Sequence, residues 1–279
     1  MKLTGTTMTL AMTWLWPVAV FAQLQLVPDT ESQRVFAGGS RSISTIWHNN
    51  GDTTAEAEIR ARMLQTSSTT VLPLGETAWK RLQVLPGQTV LESVRLNFPI
   101  VKAETKFVLQ WLEHTNVIGK TEVLVYPANL LAELKPLLEG ETLGVLDPND
   151  ELKPLLRQND VTFVDLDQTT LEDFSGRLAI LGPFRSQAQL PEDATKRTQA
   201  MAKNGAAIVW LQPPSGSRDL LCPSYYSVSI GTNAIVVVQS GVVTGLAENP
   251  LAQERLMQLC RLTLHPEPTT LPSISPLKN

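Results

Sequence analysis

The sequence predicts two domains, an all-β sandwich followed by an α/β domain with a doubly wound, flavodoxin-like parallel sheet. Three observations predict this. Residues 23–127 contain short segments with the period of strands, whereas residues 128–265 alternate short apolar runs with segments of helical period. A chain of 279 residues is also too long for one ordinary hydrophobic core. The period changes after Tyr126 and Pro127, which places the predicted domain boundary there.

Residues 1–22 have the pattern of a secretory signal peptide. Lys2 gives a positive start, residues 10–21 are mostly apolar, and Ala22 supplies a small residue before a cleavage point at Gln23. A membrane anchor is the less favoured alternative, because the apolar run is shorter than the roughly 20 residues that span a bilayer. We therefore expect an exported protein, periplasmic or extracellular, without a stable membrane span after cleavage.

The first domain is predicted from seven strand-like segments separated by turns rich in Gly, Pro, Asn or Thr. They are residues 24–27, 41–48, 55–64, 78–85, 89–98, 106–113 and 120–126. Strands of this length and spacing are typical of a β-sandwich. We expect Trp47 and Trp111 on the inner face, because large aromatic side chains dominate sandwich cores. The alternative is that Trp79 or Trp47 forms a platform for a sugar ring.

The second domain is predicted from helices and short apolar strands that alternate. The helices are residues 129–138, 151–158, 191–203 and a last one that begins at Asn249 and Pro250; the strands are residues 143–146, 161–164, 178–184, 206–212, 225–230 and 234–239. This order indicates five parallel strands in flavodoxin-like order. Residues 266–279 are a Pro-rich tail, since proline cannot continue the last helix.

The polar residues that follow these strands are the candidate ligand-binding site. They are Asp147, Asp165, Asp167, Arg185 and Gln212. In open α/β sheets, ligands bind outside the carboxyl ends of the strands, where these side chains would converge. The alternative, which we favour, is that they cap helices or are solvated.

No recognisable catalytic or cofactor motif accompanies this candidate site. Glycine-rich phosphate loops and a Gly-x-Ser-x-Gly elbow are missing from the sequence, and His48, His114 and His265 lack the spacing of metal ligands. We therefore predict no catalytic residues, no metal and no cofactor. A net charge of −4 without a basic run argues against nucleic acid as a partner.

The two cysteines, Cys222 and Cys260, would meet an oxidising compartment after export. A disulfide between them is one reading. Two buried thiols are the other, because Cys260 lies on the apolar face of the last predicted helix.

Two passages resemble known families. The turn Val84-Leu85-Pro86-Gly87-Gln88-Thr89 resembles a hairpin of immunoglobulin-like accessory domains in secreted bacterial proteins. Residues 129–265, through their strand order and the passage Lys203-Asn204-Gly205-Ala206-Ala207-Ile208-Val209, resemble class I glutamine amidotransferase-like domains attached to such sandwiches in secreted glycosidases. Active members of that family place a nucleophilic cysteine on the turn where this chain has Gly182-Pro183-Phe184. The resemblance therefore implies a degenerate, non-catalytic member.

The passage from Phe163 to Thr169 also looks like the opening motif of haloacid dehalogenase phosphatases, in which two aspartates act on phosphorus and help to hold magnesium. That chemistry needs a Ser or Thr after the next strand, a Lys and further carboxylates. The next strand instead ends at Gly182 and Pro183, which argues against a phosphatase. We expect an exported non-catalytic protein that binds carbohydrate or another envelope protein. The alternative is a hydrolase that uses the acidic edge of the α/β sheet.

Overall fold

The structure, a computed structural model, describes residues 23–213, 225–230 and 233–265. The predicted signal peptide, Cys222 and the predicted Pro-rich tail lie outside the described residues. No helix within these ranges is both long and apolar enough to cross a bilayer. The predicted domain boundary near residue 127 stays a prediction.

The N-terminal part of the described chain is built of strands. They are β1 (Leu24–Val27), β2 (Gln33–Phe36), β3 (Gly39–Asn49), β4 (Ala55–Thr66), β5 (Val71–Val84), β6 (Thr89–Phe98), β7 (Thr105–Glu113) and β8 (Asn116–Tyr126). Sheet A is antiparallel with the order β1-β3-β6, and sheet B has the order β2-β8-β7-β4-β5. In sheet B, β2 runs parallel to β8, whereas the other neighbours are antiparallel. Strand β5 therefore forms one edge of sheet B.

Trp47 on β3 and Trp111 on β7 lie in one hydrophobic core shared by sheets A and B, as the sequence predicted. Both side chains are 0% exposed, and their rings meet edge to face with centroids 5.9 Å apart. Each indole N–H donates to a threonine hydroxyl, Trp47 to Thr45 at 2.9 Å and Trp111 to Thr121 at 3.0 Å. Because their polar atoms are paired, both indoles can be buried without an unsatisfied donor.

The prediction of an immunoglobulin-like sandwich is wrong. The described strands form a three-stranded antiparallel sheet and a five-stranded mixed sheet with a parallel pair at one edge. That pair uses β2, which the sequence analysis did not predict. Only four residues long, β2 is held by its register against β8, from Gln33 opposite Val123 to Phe36 opposite Tyr126. An alternation pattern does not encode such a distant pairing.

The C-terminal part contains an α/β arrangement. Its strands are β9 (Leu143–Leu146), β10 (Val164–Asp165), β11 (Leu178–Leu181), β12 (Ala207–Gln212), β13 (Tyr225–Ile230) and β14 (Asn233–Gln239); its α-helices are α1 (Leu134–Leu138), α2 (Lys153–Gln158), α3 (Ala194–Lys203) and α4 (Pro250–Leu264). Short 3-10 helices cover Leu130–Glu133, Leu171–Asp173, Gln187–Gln189 and Ser240–Val243. The described strands form sheet C with the order β10-β9-β11-β12-β14-β13.

Hydrophobic clusters cover both faces of sheet C. One face packs against α1, α2 and α4, and the other packs against α3 and the 3-10 helix Leu171–Asp173. Side chains of β11 alternate between the two clusters, so that Leu178 and Ile180 join the first while Ala179 and Leu181 join the second. A strand buried on both faces explains why its sequence is a continuous apolar run.

The prediction of a doubly wound, flavodoxin-like parallel sheet is also wrong, because sheet C is mixed, although a parallel α/β part exists. Strands β10, β9, β11, β12 and β14 are parallel, but β13 joins β14 in antiparallel orientation at the edge. In the sequence only residues 231 and 232 separate these two strands. A connection of that length permits an antiparallel hairpin and excludes a parallel crossover.

Candidate functional site

The predicted site lies at the carboxyl ends of β9 and β11. The chain leaves β9 for β10 on one side of the sheet and then crosses to β11 on the other, so that the strand order reverses between β9 and β11. Such a switch point leaves a crevice that usually binds ligands in open α/β sheets. Asp147 follows β9 directly, and Gly182 follows β11.

Asp147 accepts backbone hydrogen bonds at the start of α2. Its side chain is 1% exposed, and Oδ2 accepts the backbone N–H groups of Leu152 at 2.7 Å and Lys153 at 3.0 Å. Backbone N–H groups at a helix start have no partner within the helix, so that a carboxylate placed there stabilises it. The other oxygen, Oδ1, is buried and has no hydrogen-bond partner among the described residues. Asp147 therefore holds the backbone at the start of α2 through one carboxylate oxygen.

Lys153 brings the other two aspartates of the candidate site together. Its side chain is 5% exposed, and its Nζ lies 2.7 Å from Asp165 Oδ1 and also contacts Asp167 Oδ2. Asp167 Oδ2 in addition accepts the backbone N–H of Asp147 at 3.2 Å. We call Asp147, Lys153, Asp165 and Asp167 the Lys153 cluster. The structure thus places three of the five predicted residues around a lysine that the sequence analysis missed.

The ion pair between Lys153 and Asp165 shifts the pKa of both groups away from neutrality. The Lys153 hydrogen bond, joined by the backbone N–H of Asp167, holds the pKa of Asp165 below its ordinary value, against a smaller opposing effect of burial. Burial by itself would lower the pKa of Lys153, but its hydrogen bonds to Asp165 and Asp167 outweigh burial and raise it. Lys153 and Asp165 are therefore both charged near pH 7.

The remaining two predicted residues do not join the Lys153 cluster. Arg185 is 68% exposed and pairs with Glu151, with its Nε and one terminal nitrogen 2.8 Å and 2.7 Å from the same carboxylate oxygen. Gln212 lines a separate depression of about 590 Å³ together with Trp210 and Lys196. The expectation that all five side chains converge is therefore met by the three aspartates only.

Side chains of the surrounding loops bridge the crevice between β9 and β11. Asn149 donates from Nδ2 to the Pro183 carbonyl at 2.8 Å and accepts from Gln189 Nε2 at 2.7 Å. Gln189 Oε1 in turn accepts the backbone N–H of Arg185 at 2.6 Å. These bonds tie the β9–α2 loop to the loop after β11, where a ligand would otherwise enter.

Gly182 is the first residue of the turn Gly182-Pro183-Phe184, on which the resemblance to the amidotransferase-like family would place a nucleophile. Its φ is +102°, and a Cβ placed there would lie 2.7 Å from the carbonyl oxygen of Leu211. A residue with a side chain would thus meet both backbone strain and a steric clash. The local backbone therefore disfavours any side chain at position 182.

Within the Lys153 cluster, the lysine ammonium is the counter-ion of Asp165 and Asp167. Within residues 23–213, 225–230 and 233–265, no group of three or more His, Cys, Asp or Glu side chains is placed to hold a metal. The lysine ammonium lies between Asp165 and Asp167 and uses the oxygen atoms that a divalent cation would need. The arrangement can anchor α2 to the loop after β10, and it offers no free carboxylate pair for acid–base chemistry.

A second concave region lies at the β5 edge of sheet B. It is a cleft of about 440 Å³, and we call it the Trp79 cleft. Its lining side chains come from β4, from β5 and from the turn between β7 and β8. They are Glu58, Ile59, Arg60, Ala78, Trp79, Lys80, Arg81 and His114. Of these residues, only Trp79 was predicted from the sequence as a possible sugar platform, and that was the less favoured alternative to core packing.

Cys260 lies on α4 and is fully buried, as predicted. Burial raises the pKa of its thiol to about 12. Its proposed partner, Cys222, is outside the described residues, so that the disulfide stays a prediction.

Comparisons with known proteins give no family for this chain. No family model matches it, and no curated protein does. Similar solved structures include the alkylpurine DNA glycosylase AlkC of Pseudomonas fluorescens bound to DNA, with 10% identity over 37% of this chain and 30% of that chain and a TM-score of 0.28. A β-glucosidase from Listeria innocua in complex with gluconolactone shows 12% identity over 38% of this chain and 16% of that chain, with a TM-score of 0.30.

A β-glucosidase from Erythrobacter marinus gives similar values, with 10% identity over 37% of this chain and 15% of that chain and a TM-score of 0.29. The chain thus spans less than a third of the length of each of these proteins. Similarities this low carry no argument about fold or function. The resemblance to the glutamine amidotransferase-like family stays a prediction.

Proposed function

We propose that this chain is an exported, non-catalytic binding protein, and that the polar edge of its α/β sheet stabilises the fold. One observation carries the proposal. The ammonium of Lys153 lies between the carboxylates of Asp165 and Asp167, which were the best candidates for chemistry. Its partners are carbohydrate or another envelope protein.

The alternative, a hydrolase using the acidic edge, receives less support from the charges. A general acid or base works best when its pKa lies near the operating pH. The Lys153 hydrogen bond lowers the pKa of Asp165, and the bonds to Asp165 and Asp167 raise that of Lys153 despite its burial, so that both move away from neutrality.

One feature supports a binding role, and a second argues against one class of partner. The Trp79 cleft is a concave surface with an aromatic ring and several charged groups, which is the general character of a ligand site. A net charge of −4 without a basic run argues against nucleic acid, because phosphate recognition needs clustered Lys and Arg.

Export and the lack of catalysis can be tested separately. The full-length protein, expressed with its N-terminal 22 residues in a bacterial host, should be recovered outside the cytoplasm with Gln23 as its first residue. A chain that stays in the cytoplasm with Met1 intact would contradict export.

For catalysis, purified wild-type protein is compared with Asp165→Asn on ester, phosphate monoester and glycoside chromogenic substrates. We expect no turnover above the buffer rate from either protein. Turnover by the wild type that Asp165→Asn abolishes would establish the hydrolase alternative.

A further inference from the structure

We propose that the Trp79 cleft is a saccharide-binding site that takes one pyranose ring, preferably that of a uronic acid. This inference rests on the proposed non-catalytic binding function and names its ligand class.

A β-bulge places the Trp79 side chain in the cleft. Between β4 and β5, Ile59 lies opposite Lys80 and Arg60 lies opposite Ala78, so that Trp79 is an extra residue without a partner in the register. Val84 and Leu82 on the same strand are buried and face the core. Strict alternation from them would direct the Trp79 side chain to the face of the strand that points away from the core. Bulges often redirect a side chain next to functional sites.

Two buried indoles hold the Trp79 ring in position. Its centroid lies 5.3 Å from that of Trp111 and 6.2 Å from that of Trp47, and both of those side chains are fully buried. Trp79 itself is only partly buried and lines the cleft, and the ammonium of Lys80 lies over its ring, 5.4 Å from the ring centroid. An aromatic platform fixed from behind loses little conformational entropy when a ligand packs on it.

The side chains that line the cleft include more cations than carboxylates, and each of these cations also pairs with a carboxylate outside the lining. Arg60, Lys80 and Arg81 contribute three cations, whereas Glu58 is the single carboxylate in the lining. Arginine binds carboxylates through a planar, bidentate geometry, and Glu58 is an acceptor suited to sugar hydroxyl groups. An aromatic ring for the apolar face of a sugar, cations for a carboxylate and an acceptor for hydroxyls together fit a uronic acid.

The existing ion pairs of these cations do not prevent binding. Arg60 lies 3.3 Å from Glu76, Lys80 pairs with Glu92, and Arg81 pairs with Glu56. Their cationic side chains are 40–66% exposed. Exposed pairs of this kind are weak, so that a ligand carboxylate can share or replace the protein carboxylate.

The cleft has the size of a small-ligand site. Its volume of about 440 Å³ falls in the ~300–1,000 Å³ range of ligand pockets. Arg60 also donates to the backbone carbonyl of His114, which fixes the turn that forms one wall. The wall is therefore in place before a ligand arrives.

The test is isothermal titration of the full-length protein with three soluble oligosaccharides of equal length, namely oligogalacturonate, oligoglucuronate and neutral cello-oligosaccharide. Trp79→Leu removes the aromatic face and keeps an apolar side chain, and Arg81→Ala removes one exposed cation. Arg95→Ala, which changes an exposed arginine on sheet A, is the matched control. Circular dichroism confirms that each variant is folded.

We expect a uronate oligosaccharide to bind the wild type and the Arg95→Ala control equally. Trp79→Leu and Arg81→Ala should each weaken this binding about tenfold or more, as for central contact residues. Equal affinity for the neutral oligosaccharide, with loss in Trp79→Leu only, would overturn the preference for an acid and keep the saccharide site.

No binding of any of the three, or binding unaffected by both variants, would overturn the site itself. The proposed function has its own readouts, because it fails if the chain stays in the cytoplasm or if the wild type shows turnover that depends on Asp165. A protein that neither turns over substrates nor binds saccharides would therefore contradict this inference alone.

Discussion

The Lys153 cluster and the Trp79 cleft are both rich in charge, but they differ in where the charge is directed. In the Lys153 cluster, a buried ammonium pairs with two carboxylates of the same chain. The side-chain amide of Asn149 donates a hydrogen bond across the neighbouring crevice. In the Trp79 cleft, the cations are half exposed and face a concave surface beside an aromatic ring. A buried ion pair stabilises the fold, whereas cations in weak, exposed ion pairs can also contact a ligand.

Removal of Lys153 should have the largest effect on stability. We expect Lys153→Met to lower the free energy of unfolding by about 2–3 kcal/mol, less than for a fully buried pair because solvent screens part of each aspartate. Urea unfolding followed by circular dichroism gives this value.

Lys135→Met is the matched control for this change. Lys135 lies in the hexapeptide Glu133-Leu134-Lys135-Pro136-Leu137-Leu138, which has the same sequence as Glu151-Leu152-Lys153-Pro154-Leu155-Leu156, but Lys135 is exposed. The control should change the free energy of unfolding by less than about 0.5 kcal/mol. Equal losses in the two variants would show that the ion pairs contribute nothing.

The difference between wild type and Lys153→Met should depend on pH. Because the pKa of Asp165 is lowered in the folded protein, its ion pair stabilises the fold above the ordinary Asp pKa of 3.8 and loses that contribution as the pH falls through the lowered value. The pKa of Lys153 is raised, so that the contribution also persists up to its ordinary value of 10.5 and is lost at higher pH.

Urea unfolding of both proteins at pH 7, 5 and 3 checks this dependence. The difference in free energy of unfolding between wild type and Lys153→Met should be constant between pH 7 and 5 and should become smaller at pH 3. A gap that widens on acidification would contradict the ion pairs seen in the structure.

A smaller effect is expected from the bridge across the crevice. Asn149→Ala removes the hydrogen bonds to the Pro183 carbonyl and to Gln189, and it should lower the free energy of unfolding by about 1 kcal/mol. Arg185→Ala breaks only an exposed ion pair and should cost about 0.5 kcal/mol or less. If Asn149→Ala were neutral in the same urea assay, the bridge would not be holding the crevice closed.

Of the five candidate residues, the sequence correctly brought together the three aspartates, but it missed the lysine that pairs with two of them. Asp147 comes directly after β9 and Asp165 ends β10, and neighbouring parallel strands bring their carboxyl ends together. Lys153 was not predicted, since the same hexapeptide gives an exposed lysine at Lys135 and a buried one at Lys153. Only the tertiary placement of α2 against the loop after β10 distinguishes the two.

Most strands of the fold were predicted, but β2 was not, and the pairing at the edges of the sheets was missed. Apolar runs located β9, β12 and β14 to within a residue. The parallel pairing of β2 and the antiparallel pairing of β13 were missed, because pairing partners depend on distant registers. The bulge that brings Trp79 into the cleft likewise breaks the alternation on which the prediction depended.

The most direct test of the account is the affinity of Asp167→Asn for oligogalacturonate, measured by isothermal titration at a temperature where the variant is folded. Asp167 lies in the Lys153 cluster, whereas the proposed ligand binds in the Trp79 cleft. The account predicts the same dissociation constant for the variant and the wild type. A loss of binding in Asp167→Asn would place the ligand at the α/β edge and contradict the account.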